Sequence, residues 1–390
     1  MRHVHVLIAP DRFPGLLTAE QVATAIAAGW RRGAPHDSIA LVPLSDGGSG
    51  FVEAVAAGLA GQLHATVAAD PLGRDVPASI LLVDEDGTRT AYVESAQVAG
   101  LHLLTAEERD PPRTSSFGVG QLLQAAVDLG AARVVVGVGD AGINDAGAGL
   151  LSALGAGPAE RLARGGLALA STTDADVAGL DAVRARFAAI DLVIACDVDS
   201  PLLGLKGTSA VFAEGRGASA EQAQALEHAL SHFASAIARA RPPATDLLTG
   251  APIRPERAVG SGAGGGIGYA LHLLGARAVS GVEAVLHAVG FERLLSVADL
   301  VVTADRSLDW DSLGGTVVEV AAVAQTLGIP TIAIPGDSAL GRREAILAGL
   351  SGVYPVIERA AMIAALLADP AGTLGDRAVR VARTWSPSRR

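Results

Sequence analysis

VLIAPD, residues 6–11, is a short aliphatic run that stops at an acid, and the pattern recurs five times along the chain. The other runs are IALVPLSD (39–46), VVVGVGD (134–140), DLVIACD (191–197), DLVVTAD (299–305) and TIAIPGD (331–337). Continuous rather than alternating aliphatic runs suit parallel strands buried on both faces. Parallel strands joined by crossover helices place their carboxyl ends along one sheet edge, where α/β folds bind ligands. The expectation is that the six acids gather around one pocket that takes a cation and a phosphorylated ligand.

The surrounding segments extend this reading to an α/β fold with two domains. TAEQVATAIAAGWRRG (18–33) is a helix with Thr18 and Gln21 in capping-box positions, and SAEQAQALEHALSHFASAIARAR repeats the device with Ser219 and Gln222. Residues 66–95 change to period two around Asp86-Gly87, a hairpin signal. From about residue 290 the βα rhythm returns, through a helix at TVVEVAAVAQTLG, a strand at IPTIAIPGD and a last helix near ERAAMIAALLAD. The two ends resemble each other more than either resembles the middle. The predicted architecture is therefore a doubly wound domain built from residues 1–66 and 288–380, with an inserted mixed α/β domain at 67–287. The tail WSPSRR is expected to be disordered, and the Pro-rich stretch RPPATDLLTGAPIRPER to be a surface connection.

A chain of 390 residues exceeds what a single core normally fills. With 30 Lys and Arg against 41 Asp and Glu, its net charge of −11 argues against nucleic acid or an anionic membrane as partner. The single cysteine, Cys196, excludes an intrachain disulfide and reads as an inert core thiol. No apolar stretch reaches the ~18 residues of a membrane span, and the amino terminus lacks a signal-peptide pattern, so a cytoplasmic location is expected.

Three glycine-rich loops are candidate phosphate cradles: DGGSG (46–50), INDAGAG (143–149) and GSGAGGG (260–266). The last contains GxGxxG, but APIRPERAV is no strand, which leaves an NAD site as the weakest reading. Asp140 and Asp337 also fit simple helix caps. Asn144-Asp145 and the pair Asp197 and Asp199 place oxygen ligands on irregular backbone, a pattern suited to Mg²⁺ shared with substrate phosphates.

Read together, APD with Phe13, Gly15 and LTA (9–19), DGG with Gly50 (46–50), VES and AGL (93–101), NDAGAG (144–149), ACDVDSPL (195–202), GSGAGGGIG (260–268) and ADLVVT with Asp309 (298–309) resemble the type I glycerate kinases. The resemblance implies a discontinuous Rossmann-like domain, a cleft between the two domains, ATP and Mg²⁺ as cosubstrates, and glycerate or a related small hydroxy acid as acceptor. Asp11, Asp46, Asn144, Asp145, Asp197 and Asp309 are then expected to line the cleft. Asp197 and Asp199 hold the metal, Asp145 or Asp309 orients or deprotonates the hydroxyl, Arg12 and Arg306 bind the carboxylate or the transferring group, and Gly47, Gly48, Gly262, Gly264 and Gly265 bind the nucleotide.

Three basic positions of the family's motifs are lost. Pro14 and Thr316 stand where lysines are usual and Ser307 where arginine is usual; Arg12, Asp140, Ile143, Asp305 and Asp311 are further departures. A non-catalytic binding or regulatory member of the family is accordingly the alternative to an active kinase.

Overall fold

The computed structural model describes residues 3–242, 245, 250, 252–309 and 315–386. In chain order its strands are β1 (His5–Ile8), β2 (Ser38–Leu41), β3 (Gln62–Ala69), β4 (Asp75–Glu85), β5 (Thr88–Glu94), β6 (Arg133–Gly137), β7 (Asp191–Ala195), β8 (Arg277–Val279), β9 (Leu300–Thr303), β10 (Ser307–Leu308), β11 (Thr331–Ala333), β12 (Asp337–Ser338) and β13 (Leu350–Val353). They divide between two compact units, one of Met1–Asp46, Glu53–Leu59 and Val282–Arg390, the other of Gly47–Val52 and Ala60–Gly281.

The first unit is a five-stranded, fully parallel sheet in the order β13-β11-β9-β1-β2. With the insertion left out, that is the doubly wound order 2-1-3-4-5, whose switch point falls between β1 and β9. Alternate residues feed opposite faces. Val6, Ile8, Leu300, Val302 and Ile332 pack with helices Ala19–Gly33 and Pro370–Trp385. Ala333 and Leu350 pack on the other face with helices Thr316–Thr326 and Arg342–Leu347. Thr18 caps its helix as expected, accepting from Gln21 N at 3.3 Å while Gln21 Oε1 accepts from Thr18 N at 3.0 Å.

Beyond the expected last helix, Ala361–Ala368, the chain continues in Pro370–Trp385. Trp385 Nε1 donates to the Tyr354 hydroxyl at 2.8 Å and Ser386 Oγ to Asp37 at 2.8 Å, so the tail is ordered through Ser386; residues 387–390 lie outside the described residues. This helix approaches Ala19–Gly33 so closely that a Cβ on Gly29 meets the Gly375 carbonyl oxygen at 2.1 Å. Gly29→Ala is expected to lower stability by about 2 to 3 kcal/mol without loss of the fold, measured by urea unfolding; an unchanged midpoint refutes the contact.

The second unit is a six-stranded mixed sheet in sequence order, β3 to β8. β3, β4 and β5 are antiparallel neighbours, and β5 through β8 run parallel. Asp86 and Gly87 both have positive φ, 51° and 78°, between the paired residues Glu85 and Thr88, which makes the two-residue hairpin that their sequence predicts. Because β3 pairs along its whole length with β4, this unit already includes residues 60–66. Ser219 and Gln222 cap helix Ala220–Ala240 reciprocally.

The six acids therefore do not share one sheet edge. Asp11, Asp46, Asp305 and Asp337 follow strands of the five-stranded sheet, whereas Asp140 and Asp197 follow β6 and β7 of the other. The insertion forms its own sheet, and identical strand-then-acid patterns serve both. Of the Pro-rich connection, residues 243–244, 246–249 and 251 lie outside the described residues, as does Asp311. Among the described residues no helix is long and apolar enough to cross a membrane.

Candidate functional site

At the switch point of the five-stranded sheet, the backbone stays extended past the strand ends. Ala9 N donates to Val302 O and Asp11 N to Ala304 O, both at 2.8 Å, which carries Asp11 forward beside the segment leading to Asp305. Asp11 is 6% exposed. Its carboxylate accepts from Arg12 N at 2.7 Å and from the hydroxyl of Thr316, the first residue of helix Thr316–Thr326. Asp305 accepts from Arg306 N at 2.5 Å.

Burial and then the charge of Asp46 drive the Asp11 carboxyl well above its usual range, with the charge of Asp305 adding less; the hydrogen bonds from Thr316 and Arg12 N pull the other way. Asp305 is pushed up to about 6, chiefly by burial and partly by Asp46, with Arg306 N, Ser307 N and the Arg12 charge opposing. Three carboxyl groups thus sit close enough to repel one another, with Arg12 the neighbouring cation that acts on Asp305. Thr316 supplies a hydrogen bond but no positive charge.

Arg306 is exposed, and its Nη1 donates to Pro14 O at 2.9 Å. It thereby fastens the turn closed by the Phe13 N to Leu17 O bond at 2.9 Å, a structural contact that its expected role did not include. Asp309 follows β10 directly and is half-buried. Asp337 is no helix cap: it pairs with Ser307 in the short parallel ribbon of β10 and β12.

In the second unit, the glycine motifs converge on the carboxyl ends of β6 and β7. Gly47, at φ 95°, lies so near β7 that a Cβ meets Ala195 O at 2.3 Å, and one on Gly139 meets Gly48 Cα at 2.7 Å. Asp140, at φ 51°, accepts from Ser49 N at 2.8 Å, and so caps the DGGSG turn instead of a helix of its own. Buried Glu94, at the end of β5, accepts from Val52 N at 3.2 Å and holds the start of helix Phe51–Gly58.

Gly264, Gly265 and Gly266 all have positive φ, and the sides where their Cβ atoms belong are filled by protein. For Gly265 that neighbour is Ile143 O at 2.1 Å, for Gly266 Ala146 Cα at 2.4 Å, and for Gly262 Pro201 O at 2.4 Å. Ala146 N donates to Gly265 O at 3.0 Å. Gly265 thus lies against Ile143 and Asn144; Gly262 and Gly265 are demanded by close backbone packing, and Gly264 by its positive φ and the Val138 side chain, 2.7 Å from where its Cβ belongs. Among the described residues no strand leads into residue 260; a short helical turn, Pro255–Arg257, precedes it, and the dinucleotide fingerprint lacks its context.

Asp145 is fully buried. One carboxylate oxygen accepts from Ser116 N (2.8 Å), Ser116 Oγ (2.9 Å) and Gly149 N (3.3 Å), the other from Gly147 N (3.0 Å). Burial raises its pKa against these donors. A carboxylate so enclosed holds the turn together and has no surface for a substrate hydroxyl, which corrects its expected role as a base.

Asn144, also buried, donates to Ser209 Oγ at 2.9 Å and accepts from Arg216 Nη1 at 3.4 Å. Arg216 further donates to Thr208 Oγ1 at 3.2 Å, stacks 5.3 Å from the Phe212 ring, and is brought down to about 10 by burial. Motif reading missed Arg216, Ser116 and Ser209; a lone arginine between Gly215 and Gly217 was the one available signal.

Asp197 and Asp199 are exposed on the loop after β7. Buried Cys196 between that loop and the strand has its thiol pushed up to about 11, mainly by desolvation and then by these two acids, as befits an unreactive thiol. Among the described residues no group of three or more His, Cys, Asp or Glu side chains is arranged to hold a metal ion. A pair of exposed carboxylates still fits Mg²⁺, which keeps waters and takes most of its remaining ligands from phosphates.

The glycerate kinase family model matches residues 6–386. The chain is 35% identical to the glycerate kinase of Bacillus subtilis (strain 168) over 358 residues, 90% of each protein. It is 38% identical to the glycerate 2-kinase of Escherichia coli (strain K12) over 339 residues, 85% of each. A crystal structure from Salmonella typhimurium LT2, described as that of a glycerate kinase 2, superposes with a TM-score of 0.76 at 34% identity over 98% of both chains. With a match across nearly its whole length, the chain belongs to the glycerate kinase family.

Proposed function

We propose that this protein is a glycerate kinase that transfers the terminal phosphoryl group of ATP to a hydroxyl of glycerate. The observation that carries the reading is the acidic cluster of Asp11, Asp46 and Asp305 at the switch point of a doubly wound sheet, in a chain whose relatives bear that activity in their names. Asp305 has a carboxyl that titrates near neutrality, the range in which a base both exists deprotonated and accepts a proton readily. We assign it the proton of the attacking hydroxyl, with Asp309 orienting that hydroxyl and Arg12 pairing with the glycerate carboxylate. Gly47 and Gly48 are assigned to the nucleotide phosphates.

Asp197 and Asp199 are the residues proposed to hold Mg²⁺, whose chemistry when bound is to neutralise phosphate charge. Asp197→Asn should cut the rate at subsaturating Mg²⁺ by about tenfold or more and be partly rescued by higher Mg²⁺. An unchanged Mg²⁺ dependence sinks that assignment.

The raised carboxyls favour one second reading. A cluster that lacks its usual lysine at Thr316 is short of positive charge, and phosphoryl transfer relies on charge stabilisation. That is the expectation for a member that binds ligand without turnover. Release of ADP from Mg-ATP in the presence of D-glycerate, above the rate without acceptor, supports the kinase. Binding of ATP or glycerate with no acceptor-dependent ADP establishes the second reading instead.

A further inference from the structure

The second unit contains a cavity of about 370 Å³ that none of the motif loops lines. Its walls come from helix Leu180–Phe187, the end of helix Ala220–Ala240, the carboxyl half of helix Ala263–Leu273, and the segment around Pro255–Arg257. Three arginines line it, Arg184, Arg241 and Arg254, against one acidic residue, Glu256. Arg241 is paired with Asp181 at 2.7 Å, and the lining retains an excess of positive charge. In a chain of net charge −11 such a concave basic surface is out of keeping with solubility alone.

The like charges are close enough to act on each other. Arg184, part-buried and donating to Leu273 O, is shifted below its usual value first by burial and then by Arg241. Between the cations the wall is apolar, with Ile237, Ile253 and the ring of Tyr269, itself 2% exposed. The Arg254 side is anchored: Glu256 O accepts from Leu202 N at 3.0 Å and from Ser261 Oγ at 3.1 Å, so this wall is preformed. A concave site of this size with an apolar body and a few convergent charged groups is the general form of a small-molecule pocket.

We propose that this cavity binds a small organic anion, a phosphate or carboxylate ester or acid carried on an apolar or aromatic body, at a site separate from the family's motif loops. The guanidinium groups take the anionic head by paired hydrogen bonds, and Ile253 and Tyr269 cover the body.

Phenyl phosphate is the probe, titrated calorimetrically into the full-length protein, with phenol and inorganic phosphate as the body-only and head-only controls. The expected result is a single phenyl phosphate site that binds at least about tenfold more tightly than either control. The double variant Arg241→Glu with Arg254→Glu should weaken it by about tenfold or more at an unchanged melting temperature. Should the double variant melt early, Arg254→Glu alone, at an exposed position, replaces it. No binding to the wild type, or equal affinity in wild type and variant, overturns the proposal, the latter by placing the probe elsewhere.

Discussion

Asp305→Asn is expected to make the protein more stable at pH 8 by about 2 to 3 kcal/mol while lowering turnover by at least about a hundredfold. The stability sign follows from linkage. An unfolded Asp titrates near 3.9 and the folded Asp305 at about 6, so the folded state holds the proton more tightly. Between those values the folded protein binds more protons than the unfolded chain, and stability falls as pH rises through the window. Above about pH 6 the full cost is present; below about pH 4 it is absent. Asparagine carries no charge and escapes the cost, so its advantage should appear at pH 8 and vanish at pH 4 in urea unfolding. The same gain at both pH values would rule out the electrostatic cause. Loss of activity together with gain of stability is the pattern of a group kept against its folding preference for the sake of chemistry.

Asp145→Ala should be the most damaging single change in the second unit, costing about 3 to 5 kcal/mol. Removal of the carboxylate leaves the buried amides of Ser116, Gly147 and Gly149 without their acceptor. Asp145→Asn keeps one oxygen, which can serve Ser116 and Gly149, and sets an amide group against Gly147 N alone; a loss of about 1 to 2 kcal/mol is expected. Urea unfolding of the two variants checks the order. The kinetics separate the roles: a holding residue predicts that Asp145→Asn keeps most of its turnover. A fall of a thousandfold at near-native stability would restore Asp145 as a base and overturn its structural assignment.

Local chemistry was the most legible part of this chain. Thr18 with Gln21, and Ser219 with Gln222, cap their helices because a capping box is made from residues three apart. Asp86-Gly87 turns its hairpin because both positions need positive φ. Cys196 reads as inert from its aliphatic neighbours alone, and burial bears that out. The motif loops were likewise legible as a set, since their order along the chain matches the family.

The allocation of those loops was not. VVVGVGD and VLIAPD look alike as strings, yet strand partners put Asp140 in one sheet and Asp11 in the other. Gly262 and Gly265, which suggest a phosphate cradle, sit where two backbones touch, and Gly264 against the Val138 side chain, a distinction that depends on the residue opposite each Cα. Arg216 and Ser116 carry no spacing signal, because their partners Asn144 and Asp145 are about 72 and 29 residues away in sequence.

By itself, then, the sequence determined the α/β class, the starts of the two helices capped by Thr18 and Ser219, the hairpin and the inert thiol. Each of these rests on residues within a few positions of one another. Tertiary structure alone decided which acids share a sheet, that Asp145 is walled in by four donors while Asp305 is left near neutrality, and that Thr316 reaches Asp11 from 305 positions away. Burial and the charges of distant neighbours set the chemistry of a carboxyl group, and neither is a property of the string in which it is written.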